Sequence, residues 1–370
     1  MIGDTLNAGI TWLAEPVQRR PDGRLAGRTI LVKDMIDTAG IRTTYGSQIF
    51  AEHVPERNAT VVERVLDEGA AVVGKANLPE FAWSVMGQNP WYGTVHNPTH
   101  PGRTTGGSSA GNAAAIAGGL CELGLGTDTG CSIRLPSACC ETVGLKPAWG
   151  RIPIDGVLPL VPTLDTVGPM GRTVEEVALL WSVLTGDPVP EPRLDLAVGL
   201  LRQPPEVGDG RPTERSDRAE QWVADLEARG ARVVERSIPN ATANTFAVFG
   251  HEALQSHAAT FPSRAGDYAA TIRPKLEAAL QTTAAEVEAG YAAIAEWRRY
   301  EPDVDLYLTP GYGIDLPAED ADELELRLAL SSFLRWVNLI GWAGLAVGNL
   351  QLVAPRDETV LAAGLALVRG

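Results

Sequence analysis

The chain has 370 residues, enough to bury a large core as one big domain or as two ordinary ones. Its 45% hydrophobic and 21% charged residues are typical of a globular protein in water, and no apolar run reaches the roughly 18 residues that span a bilayer. The formal charge of −15 argues against nucleic acid and anionic membranes as partners, because both are themselves negatively charged.

The first half of the chain alternates strand and helix patterns. Its N-terminal segment has no basic start followed by an apolar stretch, so we expect no secretory signal and a cytoplasmic location. The segment LAGRTILVKD predicts a strand that ends near Lys33, and residues 59–69 have helical spacing with Asn58 as the N-cap. The stretch Gly87–Gly107 is rich in Gly, Pro and Asn, which predicts a long loop. A small-residue helix, a buried strand with a tight turn, and a helix opened by a capping box at Thr173 follow.

The character of the sequence changes at about residue 188. A proline-rich joint, DPVPEPRLD, leads into a short apolar strand and then into acidic helices over roughly 213–300. DVDLYLTP and GNLQLVAP predict later strands, and ETVLAAGLALVR predicts a closing helix. Because strands alternate with helices, the sequence indicates an α/β fold with a layered sheet. The long helical middle either caps the site or covers one face of the sheet.

Cysteine and histidine spacing gives no indication of a metal site. The four cysteines lie within 20 residues without a Cys-x-x-Cys spacing, and we expect them to be buried and reduced: Cys121, Cys131, Cys139 and Cys140. His96 and His100 are separated by Pro98, so they cannot share a helical face. We therefore expect no metal and no other cofactor.

Two segments rich in Gly, Ser and Thr stand out. One runs from Gly106 to Gly111 and contains Ser108, and the other runs from Gly124 to Pro136 and contains Ser132. Each places a hydroxyl in a glycine-rich turn just before a predicted helix, where unpaired backbone N–H groups can face an anion. An oxyanion hole needs this geometry, although an ordinary strand–turn–helix connection would use the same residues.

These segments resemble the amidase signature family, as do several other motifs. The further motifs are Leu31-Val-Lys-Asp34, Lys75-Ala-Asn-Leu-Pro-Glu-Phe81, Gly144-Leu-Lys-Pro147 and Leu164-Asp-Thr-Val-Gly-Pro-Met170. The resemblance runs from about Leu25 to Thr185 and resumes more weakly at Asp303–Pro310 and Gly348–Pro355. It implies the amidase signature fold, a mixed β-sheet core sandwiched between α-helices. We expect one domain over 1–370, with a signature core at 25–185, the helical region at about 188–300, and a C-terminal part at 301–370 that completes the core.

The resemblance also implies residue roles. Ser132 would attack the acyl carbon, Ser108 after a cis peptide would relay the proton, and Lys33 would be the base. The oxyanion hole would be formed by backbone N–H groups of four consecutive residues: Thr129, Gly130, Cys131 and Ser132. A lysine acts as a base at neutral pH only if burial and hydroxyl partners lower its pKa. We expect Asp34 to point away from Lys33, because neighbouring strand residues face opposite sides.

Several neighbouring residues complete the expected site. Asp128 and Arg134 flank the nucleophile at a spacing that suits a supporting ion pair. The family usually has two glycines before the nucleophile, whereas this chain has Gly130-Cys131. The C-terminal region of this chain also looks condensed in comparison with the family. The Cys131 side chain would reshape the acyl pocket, unless its thiol is itself reactive. Four residues of the loop-rich stretch are candidate substrate contacts: Trp83, Met86, Trp91 and Tyr92.

The resemblance therefore predicts a metal-independent hydrolase that cleaves a carboxamide or related C–N acyl bond of a small molecule. Two alternatives stay open: a glutamine-hydrolysing amidotransferase subunit that works in a complex, and an esterase or carbamate hydrolase on the same triad. The acidic composition and the condensed C-terminal region do not favour a large docked partner, and a homodimer stays open. Gly107-Ser108-Ser109-Ala110-Gly111 also spells a nucleophile elbow, but no strand precedes it as that motif requires. Which amide is the substrate is not encoded in the triad.

Overall fold

The computed structural model describes residues 3–208 and 214–368. Within these ranges, one mixed sheet contains eleven strands. In chain order they are β1 (Gly9–Val17), β2 (Thr29–Lys33), β3 (Ala71–Ala76), β4 (Leu123–Asp128), β5 (Val143–Lys146), β6 (Thr166–Gly171), β7 (Ala197–Leu200), β8 (Arg232–Glu235), β9 (Leu306–Pro310), β10 (Ala343–Val347) and β11 (Leu350–Ala354). Their order across the sheet is β1-β3-β2-β4-β6-β5-β10-β11-β9-β7-β8.

The described helices also follow in chain order. They are α1 (Thr60–Asp67), α2 (Ala110–Ala117), α3 (Arg134–Cys139), α4 (Val174–Thr185), α5 (Val223–Ala228), α6 (Phe246–Ser256), α7 (Arg273–Ala279), α8 (Ala284–Trp297), α9 (Glu323–Leu330), α10 (Ser332–Ile340) and α11 (Asp357–Val368). None of them combines the length and the apolar character needed to cross a bilayer.

Strand directions in the centre of the sheet explain how distant turns meet. Strand β2 pairs in parallel with both β3 and β4, so the carboxyl ends of all three lie at the same edge. Strand β4 also pairs antiparallel with β6 over six residues, Leu123–Asp128. The end of β2 at Lys33 and the end of β4 at Asp128 are therefore neighbours, although almost a hundred residues separate them.

Helices cover both faces of the sheet. On β10, Gly344 lies against the side chain of Arg134 in α3, whereas Leu345 packs against Gly364 in α11. Adjacent strand residues face opposite sides of a sheet, so α3 and α11 lie on opposite faces. The largest apolar core lies beneath α1, α4 and α11, and it includes the fully buried Trp181. The mixed sheet between helices agrees with the predicted fold class.

Local sequence signals explain where individual helices begin and end. In the predicted capping box, the Thr173 side chain accepts a hydrogen bond from Glu176 N–H, and Thr173 N–H donates the reciprocal bond to the Glu176 carboxylate. Gly186 ends α4 at a φ of 85°. The prediction of Asn58 as an N-cap is wrong, because the N-cap of α1 is Ala59. Asn58 instead accepts a hydrogen bond from Ala39 N–H and donates one to Glu63.

The region after residue 188 differs from the prediction in one respect. The sequence predicts that residues 213–300 form helices and no strand. The structure places β8 within this segment, where it pairs in parallel with β7. The pattern of β8, RVVE, is too short and too exposed to show clear strand alternation. Because β7 also pairs with β9, this region extends the sheet as well as covering it. The assignment of the whole chain to a single domain stays a prediction.

Candidate active site

Lys33 occupies the end of β2 and is completely buried. Its Nζ donates hydrogen bonds to Ser108 Oγ at 2.7 Å and to Thr127 Oγ1 at 2.8 Å. Burial lowers the pKa of Lys33 to about 7, although the negative charge of Asp128 acts in the opposite direction. A lysine with this pKa is neutral in a large fraction of molecules at neutral pH, as a general base requires.

Asp34, the next residue, points away from Lys33 as expected. Its Oδ2 accepts hydrogen bonds from Thr44 N–H at 2.7 Å and Thr44 Oγ1 at 2.6 Å, and its Oδ1 lies 3.6 Å from Nζ of Lys75. The alternation of side chains along the chain thus directs the two charged groups to different surroundings. Asp34 pairs with Lys75, and the hydrogen-bond partners of Lys33 among the described residues are all neutral.

The turn that carries Ser108 packs closely against its surroundings. The peptide bond between Gly107 and Ser108 is cis. A Cβ atom at Gly107 would lie 2.6 Å from the carbonyl oxygen of Met86, so glycine is needed at this close approach. The next residue, Ser109, donates its N–H to the carbonyl oxygen of Ser132 at 3.0 Å. This bond joins the two serine-bearing turns directly.

The turn that carries Ser132 lies between β4 and α3. Asp128 at the end of β4 accepts the N–H of Ile133 at 3.0 Å, which folds the turn back on itself. Within the described ranges, no hydrogen bond uses the N–H groups of Gly130, Cys131 or Ser132. Such unpaired donors at the start of a helix are available to a developing negative charge.

A partly buried carboxylate, that of Asp165, fixes the first residue of this turn. Thr129 Oγ1 donates to Asp165 Oδ1 at 2.5 Å, while Asp165 Oδ2 accepts the N–H groups of Leu160 and Val161 at 2.9 and 3.0 Å. Sequence reasoning did not assign a role to Asp165. Its place in the Leu164–Met170 motif was the available signal, but the motif alone does not say what the carboxylate contacts.

Asp128 and Arg134 form the expected ion pair, and both side chains are fully buried. The pair is bidentate: Arg134 Nε lies 3.0 Å from Asp128 Oδ2, and Nη2 lies 3.0 Å from Oδ1. Burial acts to raise the pKa of Asp128, but the charge and hydrogen bonds of Arg134, together with the charge of Lys146 and the N–H of Ile133, outweigh it and the pKa falls to about 2. Arg134 also donates to Gln351 Oε1 and to Asn338 Oδ1, both at 2.6 Å. It thereby joins the Ser132 turn to α10 and β11, contacts that the sequence did not reveal.

A cavity of about 90 Å³ opens beside Ser132. It is lined by the Thr129–Ser132 turn, by the aromatic side chains of Trp83, Phe246 and Phe249, and by the charged residues Glu323, Arg327 and Arg335. Its surface is largely apolar, but two cations reach it. Sequence reasoning found Trp83 and missed the residues of α6, α9 and α10, because nothing local in those helices indicates which side faces Ser132.

The four candidate substrate contacts separate in the structure. Trp83 lines the cavity, whereas Met86 is fully buried in an apolar cluster with Cys131. Trp91 donates its Nε1–H to Glu80 Oε1 at 2.8 Å, and the carbonyl oxygen of Tyr92 accepts a hydrogen bond from Asn7 Nδ2 at 2.7 Å. Neither Trp91 nor Tyr92 belongs to the lining of the cavity beside Ser132. Their expected role as substrate contacts stays a prediction, and a hydrogen bond to the buried carboxylate of Glu80 fixes the Trp91 ring.

Cys131 is 3% exposed, and its Sγ lies 3.9 Å from the carbonyl oxygen of Gly107. Burial raises the pKa of the Cys131 thiol to about 12, and nearby cations only partly oppose this effect. The thiol is therefore protonated at neutral pH, which argues against the reactive-cysteine alternative. The four cysteines are buried and free.

The histidines on either side of Pro98 have separate partners. His96 Nδ1 lies 3.0 Å from Glu319 Oε2, and His100 Nε2 lies 3.0 Å from Glu141 Oε1. Among the residues that the structure describes, no group of three or more His, Cys, Asp or Glu could hold a metal ion.

The buried lysine bonded to Ser108, and the backbone bond that joins the Ser108 turn to the Ser132 turn, bring a base, two hydroxyls and unpaired N–H donors together. These are the components that acyl transfer to a serine requires. The family model described as Amidase matches residues 11–301, and the chain belongs to the amidase signature family. It is 40% identical over 257 residues to a glutamyl-tRNA(Gln) amidotransferase subunit of Natronomonas pharaonis. That similarity covers 63% of this chain and 59% of the relative, so the chain matches less than two thirds of the relative's length.

Solved structures of the family superimpose on nearly the whole chain. An amidase crystal structure is 28% identical with a TM-score of 0.81, and covers 95% of this chain and 85% of its own. The corresponding glutamyl-tRNA(Gln) amidotransferase subunit of Thermotoga maritima is 25% identical with a TM-score of 0.80, and covers 99% of this chain and 88% of its own.

Proposed function

We propose that this chain cleaves a carboxamide through an acyl-enzyme on Ser132, with Ser108 and Lys33 as the proton relay. The observation that carries the proposal is the 2.7 Å hydrogen bond between buried Lys33 Nζ and Ser108 Oγ, on a turn bonded to the Ser132 turn. A hydroxyl nucleophile needs a base to accept its proton, and Lys33 is the titratable group at this position with a pKa of about 7.

The reaction has two stages. The proton of Ser132 passes through Ser108 to Lys33 while Ser132 Oγ bonds to the amide carbon. The N–H groups of the Thr129–Ser132 turn hold the negative oxygen of the tetrahedral intermediate. Lys33 then returns the proton to the nitrogen as the C–N bond breaks, and ammonia or an amine leaves. A water molecule then gives up a proton to Lys33 and bonds to the acyl carbon. The proton returns through Ser108 to Ser132 Oγ as the ester bond breaks and the acid leaves.

The surrounding residues act by position. The Asp128–Arg134 pair holds the Ser132 turn between β4 and α3, because each partner is fully buried and bonded to the other. Trp83 contacts the acyl group, since it lines the cavity that contains Ser132. Met86 shapes this cavity indirectly through its packing with Cys131.

A second candidate is a glutamine-hydrolysing subunit that supplies ammonia to a partner. The identity of 40% to a glutamyl-tRNA(Gln) amidotransferase subunit supports it, and the similar relatives from Haloarcula marismortui and Symbiobacterium thermophilum carry the same name. These relatives favour a subunit in a complex over a free-standing hydrolase. Both candidates use the same acyl-enzyme, and an esterase or carbamate hydrolase would use it as well.

A panel of carboxamides, anilides and esters tests the proposal, scored by the release of ammonia, aniline and alcohol respectively. Wild-type protein should release ammonia or amine from at least one member, and Ser132→Ala should lose at least about three orders of magnitude in turnover. A preference for glutamine, together with a hetero-oligomeric native mass in the source cell, would favour the second candidate. Undiminished turnover by Ser132→Ala would refute both.

A further inference from the structure

Two arginines line the cavity beside Ser132, although the protein as a whole is strongly acidic. The charged side chains that line it are Glu323, Arg327 and Arg335. Glu323 Oε2 lies 3.1 Å from Nζ of Lys275, and both side chains are almost completely buried, so this carboxylate is already paired. The carboxylate that lines the cavity is therefore neutralised by Lys275, and no ion pair of the described residues joins it to Arg327.

Arg327 differs from Arg134, the buried arginine of the Ser132 turn. None of the ion pairs within residues 3–208 and 214–368 includes it, and its Nε is buried without a hydrogen-bond partner among those residues. By contrast, Arg134 is bonded to a carboxylate and to two side-chain amides. A buried guanidinium donor without an acceptor is costly, and a bound anion would remove that cost.

The position of Arg327 suits contact with the far end of a substrate. It lines the cavity that contains Ser132 and also a second, adjoining cavity of about 350 Å³. The two cavities share Trp83, Phe246 and Phe249 as well, so these aromatic side chains and Arg327 form their common wall. A substrate whose amide reaches Ser132 would place apolar carbons against the aromatic rings and its opposite end near Arg327.

We propose that the site accepts amides whose opposite end carries a carboxylate, and that Arg327 binds this carboxylate. The proposal rests on Ser132 chemistry and adds the substrate class: monoamides of dicarboxylic acids. An ammonium group beside the carboxylate, as in glutamine, would need an acidic partner in the cavity. Among the described residues the lining acid is Glu323, which is already paired with Lys275, so such a substrate is disfavoured. The inference therefore separates this chain from a glutamine-specific enzyme.

Three amides of one length test the proposal. Pentanamide is neutral, glutaramate replaces its terminal methyl group with a carboxylate, and glutamine adds an ammonium group to glutaramate. Wild-type kcat/KM should be at least about tenfold higher for glutaramate than for either of the others, and the preference should shrink as salt screens the charges.

Variants assign the preference to one side chain. Arg327→Met should reduce the glutaramate-to-pentanamide ratio of kcat/KM at least about tenfold, while Arg327→Lys, which keeps the charge, should retain part of it. Glu325→Gln is the matched control, because it changes an exposed charge on the same helix α9 and should leave the ratio unchanged. A ratio that Arg327→Met does not alter, or a wild-type preference for glutamine or pentanamide, would overturn the proposal.

Binding measurements separate this inference from the proposed catalytic mechanism. In a Ser132→Ala background, calorimetry should give tighter binding of glutaramate than of pentanamide, and Arg327→Met should remove the difference. Equal binding of the two amides would refute the carboxylate site even if Ser132 is the nucleophile. Persistent ammonia release by Ser132→Ala would instead refute the mechanism and leave the binding preference testable.

Discussion

Replacement of Arg134 by methionine tests whether the buried ion pair holds the Ser132 turn. The substitution keeps an unbranched apolar stem but removes the bidentate bonds to Asp128 and the bonds to Gln351 and Asn338. Asp128 would then be a buried carboxylate without its cation. Loss of one partner of a buried pair typically costs about 3–5 kcal/mol of folding free energy. We expect a loss in this range, with turnover reduced as well because the turn loses its anchor.

Guanidinium denaturation followed by tryptophan fluorescence measures this loss as a change in the midpoint at constant m-value. Two variants act as controls. Arg193→Met removes an exposed pair with Asp195 and should change the midpoint little. The double variant Arg134→Met/Asp128→Asn removes both charges and should recover part of the stability, because no unpaired charge is left buried. A loss below about 1 kcal/mol in Arg134→Met would refute the argument.

Three further predictions concern titratable groups in and around the site. Because burial lowers the pKa of Lys33 to about 7, kcat/KM should rise about tenfold per pH unit below that value and level off above it, and a flat profile from pH 5.5 to 8.5 would exclude Lys33 as the base. Burial also lowers the pKa of Lys146 to about 7, so above that pH the unfolded chain binds more protons than the folded chain. The free energy of unfolding should therefore rise from about pH 7 to 8.5, and it should rise less steeply in Lys146→Met. Above that window the buried thiol of Cys131, with a pKa of about 12, opposes the trend because it is deprotonated only in the unfolded state. Cys131→Gly and Cys131→Ser should keep turnover of a small amide within about tenfold, roughly 1.4 kcal/mol, and a hundredfold loss in both would show that the thiol takes part in the reaction.

The sequence predicted the parts of the site that are local in the chain. Lys33 at a strand end and the two glycine-rich turns were recognisable, because a turn needs particular residues at fixed positions. The separation of Asp34 from Lys33 followed from strand alternation and agrees with the hydrogen bonds of Asp34 to Thr44.

The parts that the sequence did not predict depend on long-range contacts. Asn338 and Gln351 reach Arg134 only because β10 and β11 pair beside β5, which is a property of the sheet order. Trp91 was predicted only as a candidate substrate contact, and nothing in the sequence indicated its hydrogen bond to buried Glu80. Arg327 gave no signal in sequence, because an arginine on an amphipathic helix is ordinarily a solvated residue.

The most direct test of the central claim is the intact mass of the protein after treatment with a fluorophosphonate, which reacts with activated serine hydroxyls. Wild-type protein should gain one adduct that peptide mapping assigns to Ser132, and Ser132→Ala should gain none. Ser109→Ala is a useful comparison, because Ser109 donates its N–H to the carbonyl oxygen of Ser132 through its backbone, which the substitution keeps. An adduct on Ser109, or one that persists in Ser132→Ala, would contradict the assignment of Ser132 as the nucleophile.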